Sequence, residues 1–117
     1  MNLQGLFRNA KNVEKFQAGE TIFAEGSFGD IMYVVLDGEI TLQIDGVDFE
    51  VISSGDILGE MALIDAKERS TTAIAKSDCS LAPIDEKHFL FLVQQTPFFA
   101  LHVMRELVSR LRKMHAK

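Results

Sequence analysis

Between residues 21 and 84 the chain breaks into six short runs rich in β-branched and aromatic residues: 21–24, 31–36, 39–44, 47–52, 71–75 and 80–84. Glycine, aspartate and serine punctuate the gaps. Short strands at this regular spacing predict a β-sandwich or barrel, because no single run is long enough to build a wide open sheet. The Asp37-Gly38 and Asp45-Gly46 pairs stand between successive runs. Asp-Gly supplies the positive φ angles of tight reverse turns, so two consecutive hairpins are expected. Along Glu39-Ile40-Thr41-Leu42-Gln43-Ile44, apolar and polar side chains alternate. One face of that strand therefore looks at a core and the other at water.

Helical signals lie at the two ends. Asp85 is placed to cap a helix running through Gln95, and Thr96 followed by Pro97 opens a second one to about Met114, since proline at a first helical position forfeits no needed hydrogen bond. On this second helix Ala100, Val103, Met104, Leu107, Val108, Leu111 and Met114 recur every three or four residues. That stripe is wider than a two-residue-per-heptad seam, so one side is expected to pack on the β core while the other meets a second copy in a homodimer. Residues 3–12 read as a short N-terminal helix packing through Leu6 and Phe7.

At 117 residues and 47% hydrophobic content, the chain fits one domain with one core. Its one cysteine, Cys79, excludes an internal disulfide and a cysteine metal cluster; it is expected to be a small buried residue on a strand in a reducing compartment. No apolar run approaches the ~20 residues that span a bilayer, and no signal-peptide pattern opens the chain, so a soluble cytoplasmic protein without membrane contact is expected. The net charge of −5 is uneven. Residues 101–117 carry Arg105, Arg110, Arg112, Lys113 and Lys117 against Glu106 alone, a local +4 that leaves −9 on residues 1–100. Cations in the last turns of a helix suit its macrodipole, which is the expected role of this tail.

The candidate site lies in residues 55–73. Gly59-Glu60-Met61-Ala62 reads as a helix start, where free backbone N–H groups and partial positive charge receive an anion. Nine positions after Glu60, Arg69 offers a planar fork of donors to neutralise it. Ionised Glu60 only accepts hydrogen bonds, which suits a sugar hydroxyl better than a phosphate. One cassette thus carries chemistry for a cyclic phosphate and a ribose.

These residues resemble the phosphate-binding cassette of the cyclic nucleotide-binding domain, the sensor module of catabolite activator protein-like regulators, cyclic-nucleotide-dependent kinases and cyclic-nucleotide-gated channels. The resemblance extends over about residues 15–115. Gly19-Glu20-Thr21-Ile22-Phe23, Glu25-Gly26, Gly29-Asp30, Tyr33-Val34-Val35-Leu36, Gly38-Glu39 and Gly55-Asp56 follow that family's order and spacing. It implies a mainly β fold, a double-stranded β-helix or jelly-roll β-barrel of cupin-like kind, flanked by N- and C-terminal helices. A single domain over 1–117 follows, with a helix at 3–12, a β-roll at 15–85 holding the cassette, and C-terminal helices at 86–115.

For function, the resemblance implies a cyclic nucleotide ligand, cAMP first and cGMP as the alternative, with no cofactor. Glu60 would take the ribose 2′-hydroxyl and Arg69 the exocyclic phosphate oxygens. Gly59, Met61, Ala62, Ser70 and Thr71 would complete the cradle through backbone N–H groups. Leu58, Met61 and Val47 are candidates to line the base pocket, and the 111–115 region, including Met114, is the candidate lid. The chain departs from the family pattern at Leu58, Glu68 and Thr71, where phenylalanine, proline and alanine are usual. A serine after the arginine, here Ser70, occurs with either base.

Other chemistries lack their parts. His88, His102 and His115 all fall on the C-terminal helices, away from the facing strands where a cupin holds its metal, so no metal site and no enzyme activity are expected. Nucleophile-elbow, phosphate-loop and zinc-hydrolase motifs do not occur. Nor does a helix-turn-helix follow the last helix, so direct DNA binding by these residues is not expected. The alternatives are a ligand-free interaction module of the same shape, and the sensor part of a transcription regulator without its DNA-binding domain.

Overall fold

The structure, a computed structural model, describes residues 3–7 and 9–115. A short helix, α1 (Leu3–Leu6), precedes eight strands: β1 (Glu14–Phe16), β2 (Thr21–Phe23), β3 (Met32–Asp37), β4 (Ile40–Ile44), β5 (Val47–Ile52), β6 (Ile57–Leu58), β7 (Thr72–Ala75) and β8 (Cys79–Ile84). Helix α2 (Glu60–Asp65) falls between β6 and β7, and α3 (Glu86–Gln95) and α4 (Pro97–His115) close the chain. The strands form two four-stranded sheets, ordered β1-β8-β3-β6 and β2-β7-β4-β5, with antiparallel pairing throughout. This is the mainly β roll with flanking helices that the sequence implied.

Apart from its exposed edge strand β1, the first sheet is buried on both faces, and period-two alternation sorts its side chains. Met32 and Val34 of β3, Ile57 of β6, and Ala82 and Ile84 of β8 pack with Phe7, just past α1, and with Leu3, Leu92, Phe99 and Val103 of the helices. Their neighbours Val35, Leu58, Cys79 and Leu81 point the other way, against Ile40, Leu42, Ile52, Ala73 and Ala75 of the second sheet. Helices, sheet and sheet therefore stack as three layers around two apolar seams. Cys79 is buried on β8, as expected.

One of the two expected hairpins forms. Asp45 and Gly46 adopt φ of 53° and 78° and join β4 to β5, whose register runs Ile44↔Val47 through Ile40↔Ile52. The Asp37-Gly38 pair does something else: β3 pairs with β6 and β8, while β4 lies in the other sheet. Gly38, at φ 91°, turns the corner between sheets, where a Cβ would strike the Asp78 carbonyl. The N-terminal helix is also shorter than residues 3–12, ending at Leu6; Phe7 is buried but Leu6 is exposed.

The helix signals at 85 and 97 hold. Asp85 accepts a 2.8 Å hydrogen bond from the His88 N–H through Oδ1, satisfying an orphan donor of α3, and Pro97 opens α4. Asp85→Ala is expected to lower stability by about 1 kcal/mol in urea denaturation, with Asp85→Asn retaining most of it. On α4 the buried face is Phe99, Val103 and Arg110, whereas Leu101, Met104, Val108 and Leu111 stay exposed.

Candidate functional site

Gly59 takes φ 79° at the end of β6, a left-handed turn that lets the chain enter α2 directly. A Cβ there would approach the Ile31 carbonyl at 2.9 Å and Arg69 Nη1 at 2.6 Å. Glycine thus allows the helix start and the arginine to come together. The first N–H groups of α2 have no intrahelical acceptor, and Gly59, Glu60, Met61 and Ala62 line the same space as Arg69.

Arg69 precedes β7, and its backbone is clamped by the β2–β3 loop: Gly26 N–H donates to the Arg69 carbonyl and Arg69 N–H to the Ser27 carbonyl, each at 2.8 Å. Its side chain runs inward and is only 6% exposed. Nη1 donates to the Gly59 carbonyl at 3.2 Å, and the guanidinium carbon lies 4.3 Å from the centroid of the Phe23 ring. Among the described residues no carboxylate forms an ion pair with it. Burial draws its pKa down from the ordinary arginine value, opposed by the fields of Tyr33, Asp30 and Glu60, and it remains a cation at neutral pH. A buried charge is ordinarily paired, so this unspent guanidinium is the chemically notable group of the molecule.

Glu60 is 1% exposed and is paired, but with a residue the sequence reading gave another role. Arg110 of α4, itself 4% exposed, donates to Glu60 Oε1 at 2.7 Å and to Glu50 Oε1 at 3.0 Å, and Lys113 reaches Glu50 Oε2 at 2.6 Å. Part of the basic tail therefore fastens α4 to the acidic body rather than only balancing a macrodipole. Desolvation acts to lower the Arg110 pKa, yet the Glu60 and Glu50 carboxylates outweigh it and hold the group above its ordinary value.

A cavity of about 10 Å3 lies among Phe23, Leu42, Gly59, Glu60, Met61, Ala62, Arg69, Ser70, Thr71 and Arg110. That is room for about one water. Seven predicted site residues, Gly59, Glu60, Met61, Ala62, Arg69, Ser70 and Thr71, thus meet at one point. The Ser70 hydroxyl donates to the Met61 sulfur at 3.2 Å. Three others lie elsewhere. Leu58 is fully buried between the sheets, Val47 is 56% exposed at the start of β5, and Met114 does not line the cavity. Phe23, Leu42 and Arg110 line it without having been singled out. For Arg110 a signal was present: it follows Val103 by seven residues, two helical turns, and so falls on the buried face of α4.

Two stacked antiparallel sheets that bring a helix start against an inward-facing, carboxylate-free arginine make a β-roll suited to receiving an anion. The chain belongs to the cyclic nucleotide-binding domain family, whose model matches residues 13–96. It is 37% identical over 84 residues to a cGMP-dependent protein kinase of Plasmodium berghei, covering 72% of this chain and 10% of that protein. Over 103 residues it is 30% identical to the cyclic AMP receptor protein of Thermus thermophilus, covering 84% of this chain and 48% of that one. The solved structure of the Thermus thermophilus catabolite activator protein superposes with a TM-score of 0.80 at 26% identity, over 98% of this chain and 56% of the other. The chain spans less than half the length of either curated relative. Among the described residues no helix is long and apolar enough to cross a membrane, and no cluster of His, Cys, Asp and Glu is placed to hold a metal.

Proposed function

We propose that this chain is a cytoplasmic regulatory module that senses a cyclic nucleotide, cAMP in preference to cGMP, and signals through movement of α4. The observation that carries this reading is the buried Arg69 guanidinium without a carboxylate partner, facing the α2 start. A cyclic phosphodiester supplies the missing charge there. Arg69 binds its exocyclic oxygens, the N–H groups of Gly59, Met61, Ala62, Ser70 and Thr71 surround it, and Glu60 accepts from the ribose hydroxyl.

The water-sized cavity makes helix movement part of binding. Arg110 holds Glu60 through Oε1 and itself lines the space of about 10 Å3 that a ribose and its phosphate would have to widen, which leaves Oε2 as the acceptor for the ribose. Ligand binding then competes with the α4 latch and shifts the population toward a state in which α4 has moved, by no more than the ligand's differential affinity for the two states. The exposed stripe Leu101, Met104, Val108 and Leu111 is the surface through which a homodimer would pass that movement on. Calorimetric titration tests this: cAMP is expected to bind the purified protein at one per chain, more tightly than cGMP. Binding of neither leaves the ligand-free interaction module, the reading that the small cavity favours.

A further inference from the structure

Arg69 keeps its place by unusual means. A buried arginine is normally held by a carboxylate, but such a partner would occupy the donors and cancel the charge that an incoming anion needs. Here the guanidinium carbon stands over the Phe23 ring, 4.3 Å from its centroid. Cation–π attraction needs no lone-pair acceptor and so spends none of the N–H groups, of which only Nη1 is engaged, by the Gly59 carbonyl. The edge is accommodated by Gly29, in the loop whose residues 26 and 27 clamp the Arg69 backbone. A Cβ at Gly29 would stand 2.6 Å from Nη2, 2.8 Å from Nε and 3.0 Å from the guanidinium carbon. Being nearer both nitrogens than the carbon, it would strike the Nε–Nη2 edge.

We infer that Phe23 and Gly29 are positioning residues that seat Arg69 for anion capture without a counter-carboxylate. This rests on the function proposed above. Gly29 has no positive φ, so alanine fits its backbone, and the atoms it would meet are the far end of a flexible side chain that can move away. Gly29→Ala therefore separates positioning from folding: the guanidinium is displaced while the unliganded melting temperature stays within a degree or so of wild type.

The test uses Phe23→Leu, Phe23→Tyr, Gly29→Ala and Arg69→Ala, alone and in pairs, titrated with cAMP. Phe23→Leu and Gly29→Ala are each expected to weaken binding about three- to tenfold, Phe23→Tyr to preserve it, and neither loss to recur in the Arg69→Ala background. Equal losses with and without Arg69, or wild-type affinity in both single variants, overturn the inference. A ligand-free readout keeps it separate from the function itself. The Arg69 Nε–H NMR signal is expected to be displaced by the Phe23 ring current in wild type and to shift in Phe23→Leu and Gly29→Ala. If wild type binds no cyclic nucleotide, the proposed function fails while that signal still decides the seat; an Arg69 signal indifferent to both substitutions overturns it.

Discussion

Arg110→Met is expected to lower the stability of the unliganded protein by about 3–5 kcal/mol at pH 7, as measured by urea denaturation. The size follows from what is left behind. Glu60 is 1% exposed and its hydrogen bond from Arg110 is 2.7 Å long, so deleting the guanidinium strands a carboxylate in a nearly dry site. Removing both charges avoids that penalty: Glu60→Leu combined with Arg110→Met is expected to recover most of the loss, since apolar residues of similar volume replace buried ion pairs with little net effect. A single-variant loss below about 1 kcal/mol would mean that Glu60 is not buried against α4.

Glu50 adds a pH signature. Burial pushes its pKa up, but the hydrogen bonds and charges of Lys113 and Arg110 together outweigh this and hold it below the ordinary glutamate value. A carboxyl with a depressed folded-state pKa contributes stability that is present at neutral pH and lost as acidification protonates it. In Arg110→Met part of the downward pull is gone, so that loss is expected to begin at higher pH than in wild type.

The sequence was legible where structure is decided locally. Asp85 and Pro97 placed two helix starts because caps depend on the residues beside them, and Asp45-Gly46 placed a hairpin because both positive φ angles fall within one turn. Asp37-Gly38 carries the same turn chemistry and does not make a hairpin. A reversing dipeptide sets the direction of the chain but not its neighbour, and β3 found its partners at residues 57–58 and 80–84. β1 and β6, three and two residues long, are too short for alternation to register. That Gly59 to Ala62 and Arg69 to Thr71 would come together was legible because they are close in sequence, and they line one cavity. Arg110 was not, since its partners lie 50 and 60 residues away and one of several cations near a helix end already had a sufficient local explanation. Phe23 was visible as a strand aromatic, but nothing local in the sequence says that its face meets a guanidinium.

Arg69→Ala separates binding from folding in the opposite sense to Arg110→Met. The expected loss of cAMP affinity is about 1.5–3 kcal/mol, roughly ten- to 150-fold by calorimetry, the range for a hydrogen bond to a charged group. Its effect on the unliganded fold is expected to be small. Arg69 donates one hydrogen bond, to the Gly59 carbonyl at 3.2 Å, and has no carboxylate to strand, while truncation also relieves the burial of an unpaired charge. Arg69→Lys distinguishes charge from geometry: a point charge keeps the attraction but not the two-pronged contact or the flat stacking face, so it is expected to recover only part of the affinity. Unchanged affinity in Arg69→Ala would remove this guanidinium from the ligand's surroundings. Two arginines in one small cavity thus differ: Arg110 pairs with Glu60 through Oε1 and ties α4 to the body, whereas Arg69 has no ion-pair partner among the described residues and, in the function proposed, keeps its charge for a phosphate.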